Sequence, residues 1–176
     1  MRLFIAIEIP QNIKENICEI RKTIYGVKWT PREQLHITIK FIGEVQENEQ
    51  ALIRERLAEI KWSSFTITLN GTGFFPSSRK PRILWMGIER SENLFELKQK
   101  IDLALSDLGI NTENRDFTPH LTLARLSGNK QTDISKMIER FSSIGQFTVQ
   151  VDSFILFSSL LTSKGAVHEI IQEYAV

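Results

Sequence analysis

Leu35-His36-Ile37-Thr38-Ile39-Lys40-Phe41-Ile42 is answered 84 positions later by His120-Leu121-Thr122-Leu123-Ala124-Arg125. In an extended strand, side chains two apart share a face, so His36 and Thr38 point one way while Ile37 and Ile39 point the other. The same holds for His120 and Thr122 against Leu121 and Leu123. Each copy therefore offers one apolar face for a core and one face of imidazole and hydroxyl for chemistry.

Working outward, the flanks of the two copies also repeat. After each comes a helical stretch, then a Phe-Thr strand (Phe65-Thr66-Ile67; Phe147-Thr148-Val149). A Phe-Pro-Ser-Ser or Phe-Ser-Ser segment follows (Phe75 to Ser78; Phe157 to Ser159), then a Lys-bearing loop and a further strand (Ile83 to Ile88; Ala166 to Ile171). A repeat of this kind predicts an α+β fold: a bilobal, pseudo-twofold arrangement of strand-helix-strand-strand units. Two antiparallel sheets would line a central cleft, with helices outside and both motif strands at the shared cleft. Residues 1–176 read as one such bilobal domain.

The remaining elements fit that plan. Arg2 to Ile9 is β-branched and aromatic and closed by Pro10, a buried strand. Ile13, Ile17, Ile20 and Ile24 have helical spacing over 11–25, with Gly26 as the stop. Over Gln46–Ile60, Ala51, Leu52, Leu57 and Ile60 mark a second amphipathic helix. Ser91 to Leu108 is the clearest helix: Ser91 caps it, Leu94, Leu97, Ile101, Leu105 and Leu108 form its stripe, and Gly109 ends it. Thr132 to Phe141 reads as a last helix.

Composition narrows the function. With 22 Lys plus Arg against 21 Asp plus Glu in 176 residues, no global field draws the protein to a long polyanion, whereas a substrate presenting one or two phosphates remains compatible. The single cysteine, Cys18, cannot form an internal disulfide and fits a reducing cytoplasm. The apolar run at the start is too short for a signal core or a membrane span. A cytoplasmic monomer away from membranes is the expectation.

Two histidines near neutral pH can serve as general base and general acid, which suits in-line displacement at phosphorus. Thr38 and Thr122 beside them can donate hydroxyl hydrogen bonds to non-bridging oxygens. Arg125 and Lys40 are the candidates to meet the charge growing on those oxygens. By alternation Lys40 shares the His36 face, whereas Arg125 needs a strand end or bulge to reach inward. Three scattered histidines without HxxxH or CxxC spacing do not suggest a metal site. His168 reads as a half-buried, hydrogen-bonded histidine, with a substrate contact as the alternative. Trp29, Trp85, Phe74 and Phe75 are candidates for stacking a base, and Arg79-Lys80-Pro81-Arg82 is a basic loop able to approach RNA.

These residues resemble the two-histidine (2H) phosphoesterases, and among them the bacterial and archaeal RNA 2',3'-cyclic phosphodiesterases, also called RNA 2'-5' ligases. The resemblance rests on Arg2 to Pro10, on Leu35 to Glu44, on Ile83 to Ile88, on Phe117 to Arg125 and on Phe154 to Ile170. It departs at His168, where an aromatic such as Tyr is expected. It implies that His36 protonates the leaving 3' oxygen, His120 activates water, and Thr38 and Thr122 hold the phosphate, with no metal or cofactor. The implied partners are RNA with 2',3'-cyclic phosphate ends or small cyclic nucleotides, and the reverse reaction would join RNA through a 2'-5' linkage. The rival readings are a non-catalytic RNA-end or nucleotide binding module, and an esterase for another cyclic phosphate or a 2'-5' oligonucleotide.

Overall fold

The computed structural model describes residues 1–22, 27–79, 81–110, 116–126, 139, 141, 145–163 and 165–176. The expected helix over 132–141, apart from residues 139 and 141, the stop at Gly26 and Lys80 of the basic loop lie outside the described residues. The chain opens with β1 (Arg2–Glu8), followed by α1 (Gln11–Arg21), the two-residue β2 (Lys28–Trp29), a 3-10 turn (Arg32–Gln34) and β3 (His36–Glu44). Then come α2 (Glu47–Ala58), the strands β4 (Phe65–Phe75) and β5 (Ile83–Ile88), α3 (Glu92–Ser106) and β6 (His120–Arg125). The last strands are β7 (Phe147–Val151), β8 (Ser153–Thr162) and β9 (Gly165–Ala175).

The strand order is β7-β4-β5-β6-β3-β1-β8-β9, with β2 against β6, and every pairing is antiparallel. The two expected sheets are thus two halves of one hydrogen-bonded sheet, joined between the motif strands at the single pair Ile37 and Leu121. Equivalent residues of the repeat meet one another there, and again where Ile67 of β4 pairs with Val149 of β7. Self-matching pairs of this sort mark a twofold axis, as at a symmetric dimer interface.

The lobes are not the two halves of the chain. β5 belongs to the first copy by sequence yet lies beside β6 of the second, and β8 returns to lie beside β1. The repeat identifies equivalent elements; which copy each strand pairs with is set by hairpin and crossover geometry that the pattern does not encode.

The apolar alternation builds the core. Leu3, Ile5 and Ile7 of β1 join Ile37, Ile39, Leu121 and Leu123 in the main cluster, while Phe4 and Ala6 on the opposite face meet Ile155 and Phe157 in a smaller one. α3 packs with Leu94, Leu97, Ile101 and Leu105 inward, and the Ser91 hydroxyl accepts from the Leu94 N–H at 3.3 Å to cap it. Gly109, at φ +74°, supplies the left-handed turn beyond its end. On α2 the buried positions are Ile53 and Leu57, whereas Leu52 is 49% exposed, so the inward stripe lies one residue from the expected Ala51-Leu52.

Candidate active site

β3 and β6 run antiparallel with Ile37 opposite Leu121. That register sets His36 across from Thr122 and Thr38 across from His120, all on the face away from the core. The two imidazoles then belong to diagonal neighbours, residues roughly 7–8 Å apart in such an arrangement with their Cβ atoms somewhat closer. They sense one another electrostatically, since a charge on His120 opposes one on His36. A cavity of about 650 Å³ opens on this face, lined by His36, Thr38, Thr122, Arg125, His168 and Phe41 among others.

Each motif strand carries a bulge at the same place. In β3, Ala6 pairs with Thr38 and Ile5 with Lys40, leaving Ile39 as the extra residue; in β6, Trp85 pairs with Thr122 and Leu84 with Ala124, leaving Leu123 extra. A bulge reverses the alternation beyond it. Ile39 and Lys40 are accordingly both buried in succession, as are Leu123 and Ala124. Beyond the bulges Phe41 and Arg125 occupy equivalent positions and both reach the cavity wall.

This corrects the reading of Lys40. Simple alternation put it beside His36, but the Ile39 bulge turns it to the core face, where it is 1% exposed and its Nζ donates to Asp102 of α3 at 2.7 Å. Lys98 donates to the other oxygen of Asp102 at 2.5 Å. Burial works to raise the Asp102 pKa, but the hydrogen bonds and charges of Lys40 and Lys98 outweigh it and hold the carboxyl below its ordinary value. Lys40 thereby ties β3 to α3 behind the site. Arg125 reaches inward by the bulge it required.

Each imidazole is held by the backbone two residues before it. His120 Nδ1 lies 2.8 Å from the Thr118 carbonyl, which fixes the proton on Nδ1 and leaves Nε2 as an acceptor. A hydrogen bond to the Gln34 carbonyl plays the same part for His36. The Gln34 side chain meanwhile donates to the Ala166 carbonyl at 2.5 Å, tying this turn to β9.

Two aromatics flank each ring. His36 has Phe4 at 5.0 Å and Phe157 at 6.0 Å between centroids, and His120 has Phe75 at 5.0 Å and Trp85 at 6.2 Å. Phe75 and Phe157 are partners in the sequence repeat, so each lobe brings its own Phe to its own histidine. Of the stacking candidates, Phe75 and Trp85 thus serve as packing for His120, Phe74 is buried in the core, and Trp29 lines the cavity while resting against Phe141 at 5.8 Å. Of the basic loop, Arg79, Pro81 and Arg82 are described and none lines the cavity.

His168 stands closer to the chemistry than its reading as a bland strand residue allowed. Its ring is 5.6 Å from that of His36 and 4.9 Å from Phe4, and its Nδ1 is buried with no hydrogen-bond partner among the described residues. Burial and the neighbouring His168, with smaller contributions from Lys14 and His120, push His36 down to about 4 despite the Gln34 hydrogen bond. Burial also lowers the pKa of His168. Alternation along β9 put His168 on one face; that this face looks at His36 follows from the hairpin pairing of Ser159 with His168 together with the long-range pairing of β8 with β1.

Cys18 lies on α1, within 2.6 Å of an Arg21 nitrogen, and does not line the cavity. Among the described residues no group of three or more His, Cys, Asp or Glu side chains is arranged to hold a metal ion. No helix of the described residues is long and apolar enough to cross a membrane.

Comparison with known proteins agrees with this geometry. The family model of LigT-like phosphoesterases matches the chain twice, over residues 7–85 and 87–168, once for each copy of the motif. A protein of Archaeoglobus fulgidus named RNA 2',3'-cyclic phosphodiesterase is 35% identical over 96% of this chain and 97% of its own. One of the same name from Methanocaldococcus jannaschii is 36% identical over 99% and 100%. The crystal structure of Escherichia coli LigT complexed with 3'-AMP, 23% identical, has the same fold with a TM-score of 0.79, covering 99% of this chain and 97% of that one. With both of its motif copies matched by the family model and near-full-length relatives above 30% identity, this chain belongs to the LigT-like phosphoesterase family.

Proposed function

We propose that this protein hydrolyses the 2',3'-cyclic phosphate at an RNA end to a 2'-phosphomonoester, using His36 and His120 as proton donor and acceptor without a metal. The observation that carries the reading is the His-Thr pair on each of two adjacent antiparallel strands: His36, Thr38, Thr122 and Arg125 line one cavity, and His120, outside that lining, shares the sheet face of Thr122. The names of the Archaeoglobus and Methanocaldococcus relatives support the choice of substrate.

In the forward direction a water oxygen attacks phosphorus while its proton passes to Nε2 of His120, the nitrogen left open by the bond to Thr118. The bond from phosphorus to O3' breaks, and O3' takes a proton from His36. Thr38 and Thr122 donate to the non-bridging oxygens, and Arg125 meets the charge that grows on them. With a 5'-hydroxyl in place of water and the proton transfers in the same sense, the same groups would form a 2'-5' linkage.

His36 is neutral at pH 7 in the empty site, because burial and its histidine neighbour disfavour its cation. The anionic phosphodiester supplies the missing counter-charge, so the donor proton is taken up together with the substrate. A neutral resting His36 also leaves Arg2, Lys28 and Arg125 as the basic residues of the cavity lining.

The test is product analysis. A dinucleotide ending in a 2',3'-cyclic phosphate should give the 2'-phosphate alone, in the presence of chelator, with His36→Ala and His120→Ala each losing most of the rate. Loss of activity on chelation contradicts the reading. No turnover by the wild type, with normal RNA binding by both alanine variants, makes the protein a binding module instead.

A further inference from the structure

Lys28 and Arg125 stand directly opposite one another where β2 pairs with β6, and both line the cavity. Like charges at opposite positions of an antiparallel pair destabilise it. β2 offers little to offset that, being two residues long, with Lys28 opposite Arg125 and Trp29 opposite Ala124 as its register. The strand is pinned from outside: the Thr30 N–H donates to the Leu123 carbonyl at 2.9 Å, and the Arg21 guanidinium of α1 donates to the Thr30 carbonyl. Among the described residues neither Lys28 nor Arg125 forms a salt bridge. Nor is any described residue of the cavity lining an Asp or Glu, although the chain carries 21 of them.

Distance from the reacting phosphate matters as much as the charge. Arg125 lies three residues beyond Thr122 in β6, one of the intervening residues being the bulged Leu123, which puts it about 7–10 Å along the strand. Lys28 is one strand further out, about 5 Å across the pair. With a phosphate on Thr38 and Thr122, Arg125 stands between it and Lys28. Successive phosphates of an RNA strand are separated by one ribose, a step that brings the next one within reach of the lysine side chain. The cavity, at about 650 Å³, has the size of sites that bury a drug-sized ligand, far more than one phosphate fills. Arg2, the other basic residue of the lining, sits opposite Glu44 at the far end of β3, and because β3 and β6 are antiparallel that is the opposite end of the cavity.

We propose that Lys28, sharing Arg125 with the reacting group, forms a second phosphate subsite that takes the internucleotide phosphate one step from the cyclic end, so that the protein favours RNA strand ends over mononucleotides. This rests on the phosphodiesterase reading for the place of the reacting phosphate and deepens it by giving the strand a direction across the sheet, toward β2. An anion between the two side chains turns a like-charge pair into two charge-assisted contacts. The subsite holds the backbone and touches no base, so it is tolerant of sequence. With 22 basic against 21 acidic residues in the chain, two phosphates are held by local placement of charge and not by a global field.

The experiment measures kcat/KM on adenylyl-adenosine 2',3'-cyclic phosphate and on the same dinucleotide with an uncharged methylphosphonate between the nucleosides, for wild type, Lys28→Gln and Arg2→Gln. Wild type and Arg2→Gln should favour the charged linkage by about tenfold, and Lys28→Gln should bring the two substrates to near parity. In parallel, calorimetry with the corresponding 2'-phosphate products reads binding without turnover, and the log-log salt dependence for the charged dinucleotide should be shallower by about 0.7 in Lys28→Gln. No preference in wild type, a preference retained by Lys28→Gln, or a loss in Arg2→Gln as large as that in Lys28→Gln overturns the proposal. Absence of turnover on both dinucleotides, with the Lys28-dependent preference intact in calorimetry, overturns the phosphodiesterase reading and leaves the subsite standing.

Discussion

If His36 donates the leaving-group proton, substrate must carry that proton into the site. The ring is pushed down to about 4 by burial first and by His168 second, so at pH 7 only about one empty site in a thousand has a charged His36. A phosphodiester anion about 4 Å from the ring, at the effective dielectric of about 20 suited to protein sites, favours the imidazolium by about 4 kcal/mol. At about 1.4 kcal/mol per pH unit this moves the His36 limb upward by about three pH units. The limb should therefore appear near its low position in kcat/KM, which reports free enzyme, and about three pH units higher in kcat, which reports the complex. The His36 ring resonance can be followed by NMR in the His120→Ala variant, which holds cyclic substrate without consuming it. Its midpoint should rise by about the same amount when substrate is bound. A midpoint that does not move, together with coincident limbs in the two profiles, refutes His36 as the donor. The same depression has a stability consequence: the folded state binds the proton less well than the unfolded chain, so the associated stability is full above about 6.5 and is lost as pH falls through about 4.

Three further outcomes follow from the geometry. His36→Ala and His120→Ala should each lower kcat by about two to four orders of magnitude, with the far-ultraviolet circular dichroism unchanged, because each removes one proton-transfer group. Asp102→Ala removes the carboxylate shared by Lys40 and Lys98 and should cost about 3 kcal/mol in urea unfolding, or about 6–12 °C in Tm, with a smaller loss in the variant that also carries Lys40→Met. Gly73→Ala should destabilise by about 1–3 kcal/mol and depress kcat, since a Cβ there runs into the Trp85 indole that packs on His120; unchanged activity would show that Trp85 does not position that ring.

The chemistry of the site was legible in the sequence because period two is a local property. His36 with Thr38 and His120 with Thr122 needed only alternation, and the repeat predicted that both would serve one cleft. α3 was readable from its cap, stripe and closing glycine, all within the nineteen residues from Ser91 to Gly109. Lys40 was misassigned for one reason: the bulge at Ile39 is a pairing event between β3 and β1, and no residue in Ile39-Lys40-Phe41 announces it. The same blindness hid the reach of Arg125, although the repeat could have signalled that both bulges come or go together. His168 entered the site through the β8-β9 hairpin and the pairing of β8 with β1 across more than a hundred residues, and Phe4 through the pairing of β1 with β3, none of which periodicity encodes. The repeat marks Phe75 and Phe157 as equivalents, but it does not encode their crossed packing, Phe75 on His120 and Phe157 on His36, which follows from strand order.

The central claim is that two imidazoles 84 residues apart act on one phosphorus. A crystal structure with a bound 2'-nucleotide measures this directly. A ring nitrogen of His36 and Nε2 of His120 should each lie within about 3.2 Å of oxygens bonded to the same phosphorus atom. A phosphate held by one histidine alone, or seated elsewhere in the cavity with the two rings turned apart, contradicts it.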